Sequence, residues 1–263
     1  MNQLQEILRQ PLQKLLSGTT TIEFSELWGG SRGLMLLQLF RETNRHLLVV
    51  CANEEDADLL AGDLRFLAQA LPPADPPDIL VFPSWSVLPF EADSPDSATV
   101  GERMAALYRL VSGGPCIIVS PASALMQKVP PWELFADAVR TIDAGSTLDP
   151  DAVAENLLSI GYEHASMVTR TGEFSRRGGI IDFFSPAHPN PLRIEFFGDV
   201  VESLREFDPE TQRSLGTIRQ AVALPVRELI LTTIRSEQPT AQQAREIQKQ
   251  FEEGSFPPGA EFL

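Results

Sequence analysis

A chain of 263 residues, 43% hydrophobic and 8% aromatic, is long and apolar enough for two domains, or one plus a fragment, which excludes global disorder. Its 21 Lys and Arg against 36 Asp and Glu leave a net charge of −15, so the surface as a whole repels phosphate backbones and anionic lipid. That balance, with a mean hydropathy of −0.05, argues against a general nucleic-acid binder and against a membrane protein.

All the basic residues except Lys14, Lys128 and Lys249 are Arg, so most cations are planar forks suited to carboxylate pairing. No apolar run approaches the ~18 residues of a membrane span. The start MNQLQEILRQ lacks a basic region followed by an apolar one, and the expected address is the cytoplasm. Cys51 and Cys116 both lie in apolar runs and read as reduced core thiols. There is no CxxC pair, and His46, His164 and His188 are scattered, so no metal is expected.

From about residue 19 to 128 short apolar runs alternate with amphipathic stretches, as in α/β folds. TTTIEF reads as the first strand, and a helix is expected from Arg32 to Thr43. HLLVVCA (46–52) is a strand, followed by Asn53 as N-cap of a helix. That helix carries Glu54, Glu55 and Asp56 at its positive end and Leu59, Leu60, Leu64 and Leu67 on its apolar face. DILVFPS (78–84) and CIIVSP (116–121) are further strands, with GERMAALYRLVSG between them as a helix closed by Gly113. The continuous apolar runs and crossover helices predict a parallel sheet.

After Pro130-Pro131 the texture changes. One helix is expected, opened by Asp149-Pro150, running through Val153, Leu157, Leu158 and Ile160, and stopped by Gly161. From His164 to about Leu224 the pattern alternates with period two through GIIDFF, PLRIEFF, a Gly198-Asp199 turn and VVESLREF, which predicts an antiparallel, hairpin-rich α+β domain. A last helix is expected over roughly Thr240–Glu253, and the chain stops at GSFPPGAEFL, as an incomplete domain would.

Three features invite a functional reading. The first is Glu26-Leu27-Trp28-Gly29-Gly30-Ser31-Arg32-Gly33-Leu34, a glycine-rich turn at a strand-to-helix junction, where backbone N–H groups and a helix start can hold phosphate. A working P-loop needs GxxxxGK followed by Ser or Thr. Here Gly33 stands at the lysine position and Leu34 at the hydroxyl position, so the loop reads as a structural turn and no nucleotide cofactor is expected. The second is Phe82-Pro83-Ser84-Trp85-Ser86-Val87-Leu88-Pro89-Phe90-Glu91, whose aromatics could stack on unpaired bases. With Glu91, Asp93 and Asp96 beside them and few cations, packing over the sheet end is the better reading.

The third is Gly172–Phe184 followed by Arg193-Ile194-Glu195-Phe196-Phe197-Gly198-Asp199. On a strand over 192–197, period two puts Arg193, Glu195 and Phe197 on one face and Ile194 and Phe196 on the other. Ile194 and Phe196 suit a core. The opposite face is either an ordinary solvated sheet face with one Arg–Glu pair or a docking surface with arginine and aromatic anchors. Between residues 161 and 220 seven Arg meet nine acids, a net of −2 that suits a protein partner better than DNA. No Ser/His/Asp or Cys/His set can be assembled, and nothing in the residues points to catalysis.

FPSWSVLPFEADSPDSATVGERMAALYRL, GEFSRRGGIIDFFSP and PLRIEFFGDVVESLREFDPETQRSL together resemble the N-terminal, UvrB-like module of bacterial transcription-repair coupling factors (Mfd), and more distantly the repair protein UvrB. The resemblance covers nearly the whole chain. It implies a degenerate helicase-like domain of the P-loop NTPase type, interrupted by an inserted α+β domain, with boundaries at 1–126, 127–215 and 216–263, the last piece incomplete. It implies that the inserted domain binds UvrA through Arg177, Arg193, Glu195, Phe197 and Asp199, and that the module recruits UvrA to lesion-stalled transcription complexes without catalysing a reaction. The ATP-driven DNA translocase motor and the polymerase-binding domain of such proteins would lie beyond residue 263, and the module is expected to pack on distant domains that cover the UvrA face. The rivals are a UvrB-like DNA-damage clamp, which predicts strongly salt-dependent DNA binding, and an ATP-dependent helicase domain, which predicts nucleotide affinity. No insertion between residues 85 and 115 is long enough for the UvrB damage-clamping hairpin, and weak or no direct DNA binding is expected.

Overall fold

The computed structural model describes residues 21–70, 76–85 and 95–228, with four separate positions between 11 and 17. The helix expected over Thr240–Glu253, the closing GSFPPGAEFL and the Ser86–Glu91 stretch lie outside the described residues. By its contacts the chain divides into two compact units, one containing the stretches up to Ser84 and Arg109–Gln127, the other Trp85–Tyr108 and the chain from Lys128.

The first unit is α/β. Helix α1 (Ser31–Thr43) leads to strand β1 (Leu47–Cys51), helix α2 (Glu54–Ala70) and strand β2 (Ile79–Val81). Helix α3 (Ser97–Ser112) begins in the second unit and ends in the first, before strand β3 (Ile117–Pro121) and the single turn α4 (Ala122–Leu125). The strands form a parallel sheet in the order β1-β3-β2, with β3 wholly buried in its centre. Parallel pairing follows from the crossover helices, and the central, wholly buried place of β3 accounts for its run of apolar residues.

Asn53 caps α2, its side-chain oxygen accepting from the Asp56 N–H at 2.8 Å. The buried stripe of α2 is Ala57, Leu60, Ala61, Leu64 and Ala68, the i, i+3, i+4, i+7 spacing of one helical face. Leu59, expected on that face, is instead 64% exposed, because at ~100° per residue it sits beside the stripe and not on it. Strand β2 is shorter than the expected 78–84 run. Phe82 still donates to the Val119 carbonyl at 2.9 Å, but Pro83 has no N–H to continue the ladder. TTTIEF is no strand over its described part: Thr21–Phe24 keep an alternating exposure, yet no strand among the described residues pairs with them. Cys51 pairs with Pro121 at one end of the sheet while Cys116 precedes β3 at the other, and both thiols are free.

The second unit is built on an antiparallel sheet. Its helices are α5 (Trp132–Ala138) and α6 (Pro150–Ser159), with the first three turns of α3. Strand β4 (Arg140–Asp143) pairs with β11 (Gln220–Ala223). Strands β5 (Glu163–His164), β6 (Glu173–Arg177), β7 (Ile180–Phe183), β8 (Leu192–Phe197), β9 (Val200–Phe207) and β10 (Ser214–Ile218) form a six-stranded sheet in the order β10-β9-β8-β7-β6-β5, antiparallel except at β5–β6. Between Pro131 and Leu224 the sequence pattern predicts one helix. The second, α5, has seven residues, and its apolar positions Trp132, Phe135 and Ala138 leave too short a period to register.

Helix α6 starts and stops where expected. Asp149 accepts from the Asp151 N–H at 2.9 Å, Pro150 fills the first turn, and Gly161 leaves the helix at φ 99°. Its face of Val153, Ala154 and Leu157 packs on Phe174, Ile181, Phe183, Leu192, Ile194, Val201 and Leu204 of the sheet. At another place in the unit Arg103 of α3, fully buried, pairs with Glu228, which also accepts from the Trp85 indole N–H at 2.8 Å. The Arg103 guanidinium lies 5.2 Å over the Trp85 ring, so this aromatic packs within the second unit against the ion pair.

Candidate functional site

With one face of the six-stranded sheet buried under α6, the other carries the remaining side chains of every strand. Across the strands two of its rows are Ser175–Asp182–Arg193–Arg205 and Arg177–Ile180–Glu195–Ser203, read from the register of β6 to β9. Beyond Glu195 the register shifts: Glu195 faces Ser203 but Phe196 faces Val201, so Glu202 is an extra residue on β9. This bulge keeps Val201 in the core and turns Val200 to the outer face opposite Phe197. The result is an apolar cross-strand pair in the open, Phe197 at 79% and Val200 at 42% exposure, with Ile180 at 37% in the adjoining row. Gly198, at φ 60°, and Asp199 form the two-residue hairpin loop beside it, a backbone sign that glycine adopts freely.

The polar part of the face is internally paired. Arg193 donates from Nε and Nη2 to the two carboxylate oxygens of Asp182 at 2.7 and 2.8 Å, and its guanidinium stacks 4.9 Å from the buried Phe207 ring. Hydrogen bonding to Asp182 holds the Arg193 guanidinium above its ordinary value. Glu195 accepts from the Ser203 hydroxyl and from Arg205 Nη2, the latter at 3.0 Å. Arg177, at the exposed end of β6, donates to the Ser166 carbonyl.

Of the residues singled out from the sequence, Arg193, Glu195 and Phe197 share the outer face of β8 as period two requires. Arg177 joins the Glu195 row through Ile180, and Asp199 is exposed in the adjoining loop. The expected Arg–Glu pair exists, but between Arg205 and Glu195, with Arg193 paired to Asp182. Sequence reasoning missed Asp182, Ile180 and Val200. The alternation of GIIDFF carried a signal for Ile180 and Asp182, which fall on the face opposite Ile181 and Phe183. Val200 depended on the bulge.

The glycine-rich loop has a packing explanation. Gly30 precedes α1, the Ser31 hydroxyl donates to the Trp28 carbonyl at 2.7 Å, and Gly33 lies buried where α1 meets α2. A Cβ on Gly33 would stand 2.9 Å from Leu67 Cδ1, so the glycine at the position of a P-loop lysine lets two helices approach. A cleft of about 230 Å³ elsewhere in the second unit is lined in part by Glu163, Arg170, Glu173 and Arg227, whose charges pair off as Arg170–Glu173 at 3.0 Å and Arg227–Glu163 at 2.9 Å. Among the described residues no group of three or more His, Cys, Asp or Glu could hold a metal ion, and no helix is long and apolar enough to cross a membrane.

Residues 141–229 match the family described as the UvrB interaction domain, which includes β6–β9 and the face just described. The chain is similar to transcription-repair-coupling factors of several bacteria. It is 38% identical over 208 residues to that of Myxococcus xanthus, covering 78% of this chain and 17% of the relative. The figures are 32% over 205 residues for Bacillus subtilis, with the same shares, and 36% over 195 residues for Mycobacterium bovis, covering 71% of this chain and 15% of the relative. The chain spans about a sixth of the length of these relatives.

Proposed function

This chain belongs to the transcription-repair-coupling factor family, as a module of its N-terminal region, and on that premise we propose that it recruits UvrA through the outer face of its antiparallel sheet. In this reading Phe197 with Val200 is the apolar anchor, Arg193 and Arg177 are directional donors, and Glu195 and Asp199 border them. The recruitment serves nucleotide excision repair at stalled transcription complexes, and the module itself catalyses nothing. The observation that carries the reading is the open Phe197–Val200 pair on the same face as the charge-paired Arg193, an aromatic and an arginine of the kinds enriched in interface cores.

The first unit is then a degenerate nucleotide-binding domain of the helicase type, in which Gly33 and Leu34 replace the lysine and hydroxyl that would hold phosphate and metal. We start the inserted docking domain at 127; with β10, β11 and Glu228 in the same compact unit as β5–β9, it runs past the boundary at 215 expected from the sequence. ATP-driven translocation belongs to the remainder of the longer protein, as does covering of the docking face by other domains.

A titration of this chain with purified UvrA at two salt concentrations, beside an ATP titration, tests the reading. Saturable UvrA binding that weakens on Arg193→Ala, without ATP affinity, is expected. ATP binding without UvrA binding overturns it and returns the search to residues 26–34, and DNA binding that falls steeply with salt favours a damage clamp.

A further inference from the structure

Resting on that docking reading, we propose that Asp182 is a positioning residue for the partner, acting through Arg193. Asp182 is 5% exposed at the centre of β7, directly opposite Arg193 in the register, so it is hidden from any macromolecule that settles on the sheet. Both of its carboxylate oxygens are taken by Arg193, at 2.7 and 2.8 Å. A guanidinium has five N–H donors in a fixed plane. Asp182 engages two of them and the Phe207 ring lies under the guanidinium at 4.9 Å, which leaves three donors on a side chain that is still 23% exposed.

Arg193 is thus held in one rotamer before any partner arrives. A long side chain that must be ordered on binding weakens affinity by roughly 2- to 12-fold. Asp182 removes that penalty in advance. It also balances the charge of Arg193, as Arg205 balances Glu195 in the next row, so the face selects by the direction of its donors and by the Phe197–Val200 surface more than by net charge.

The test is a double-mutant cycle on UvrA binding by this chain, with Asp182→Asn and Arg193→Ala measured singly and together, and with a thermal melt of each variant. Asp182→Asn is expected to weaken binding about fivefold. Once Arg193 is alanine, Asp182→Asn should cause no further loss of binding. An equal loss in both backgrounds means general damage to the sheet and overturns the proposal, as does unchanged binding by Asp182→Asn when Arg193→Ala weakens it. If Arg193→Ala itself leaves binding unchanged, the docking reading fails, and that result is separate. Should Asp182→Asn not fold, the Arg193 Nε–Hε signal in the unaltered chain decides by NMR: a rigid, slowly exchanging signal is expected, and one averaged like that of exposed Arg213 overturns the proposal.

Discussion

Replacing Phe197 with alanine separates binding from folding more sharply than any other change on this face. A fully covered aromatic buries about 200 Å². At 79% exposure only about a fifth of that is covered in the free chain, ~40 Å², or ~1 kcal/mol at 25 cal/mol per Å². The melting temperature should therefore fall by no more than about 2–4 °C. The other ~160 Å² sets a ceiling near 4 kcal/mol on what a partner pocket could gain, and ordering and imperfect fit bring this to about 2 kcal/mol. Calorimetric titration with UvrA should show Kd rising about 30-fold. Phe183→Ala is the counterpart: that ring is 0% exposed under α6, and its loss should cost about 3–5 kcal/mol of stability. A Kd for Phe197→Ala within twofold of the unaltered chain, with the fold intact, would refute the assignment of the face.

Gly33→Lys, which restores the P-loop lysine, should confer no ATP affinity and should lower stability by about 1–3 kcal/mol, because the new side chain starts in the α1–α2 seam against Leu67; differential scanning fluorimetry with and without ATP reads both. Gly161→Ala should cost on the order of 2 kcal/mol in chemical denaturation, since alanine at φ 99° is strained and its Cβ would meet Arg227 Cγ at 2.7 Å. His188 Nε2 accepts from the Val222 N–H at 3.0 Å, and burial pushes its imidazole below the ordinary 6.5 while Glu206 opposes the shift. The unfolded chain takes up that proton first as pH falls, so the contribution is full above pH 6.5 and declines as pH drops through it toward the lower folded value. His188→Gln, which can still accept the bond, should flatten the slope of stability against pH in that window.

What could be read from the residues was whatever a local pattern encodes. Ile117–Pro121 is a continuous apolar run that a buried strand satisfies, Leu47–Cys51 is an apolar run that forms a strand although Leu48 and Val50 lie exposed, and Asp149-Pro150 with Gly161 punctuates α6 at both ends. Arg193, Glu195 and Phe197 fall on one face by parity alone, and the family resemblance supplied a partner that no spacing contains. The rest depends on which strand lies next to which. The period-two pattern of TTTIEF is intact but unpartnered among the described residues, so pattern without pairing misled. Asp182 becomes the mate of Arg193 only through the β7–β8 register, and Val200 reaches the outer face only because Glu202 bulges out of β9. The β4–β11 pairing joins residues such as Asp143 and Gln220, 77 positions apart, where no local signal exists.

The Arg103–Glu228 pair sets a timetable for synthesis. The two residues are separated by 125 positions, and at ~5–20 residues per second a ribosome needs roughly 6–25 s to pass from one to the other. Lys128, whose carbonyl accepts from Arg103, and Phe135, which packs on Val100 and Met104, are made early in that interval, and the Glu228 carboxylate comes at its end. The second unit therefore closes late, by capture of a segment that emerges after every strand of its sheet. A nascent chain stalled before Glu228 carries a finished docking face on an unfinished base.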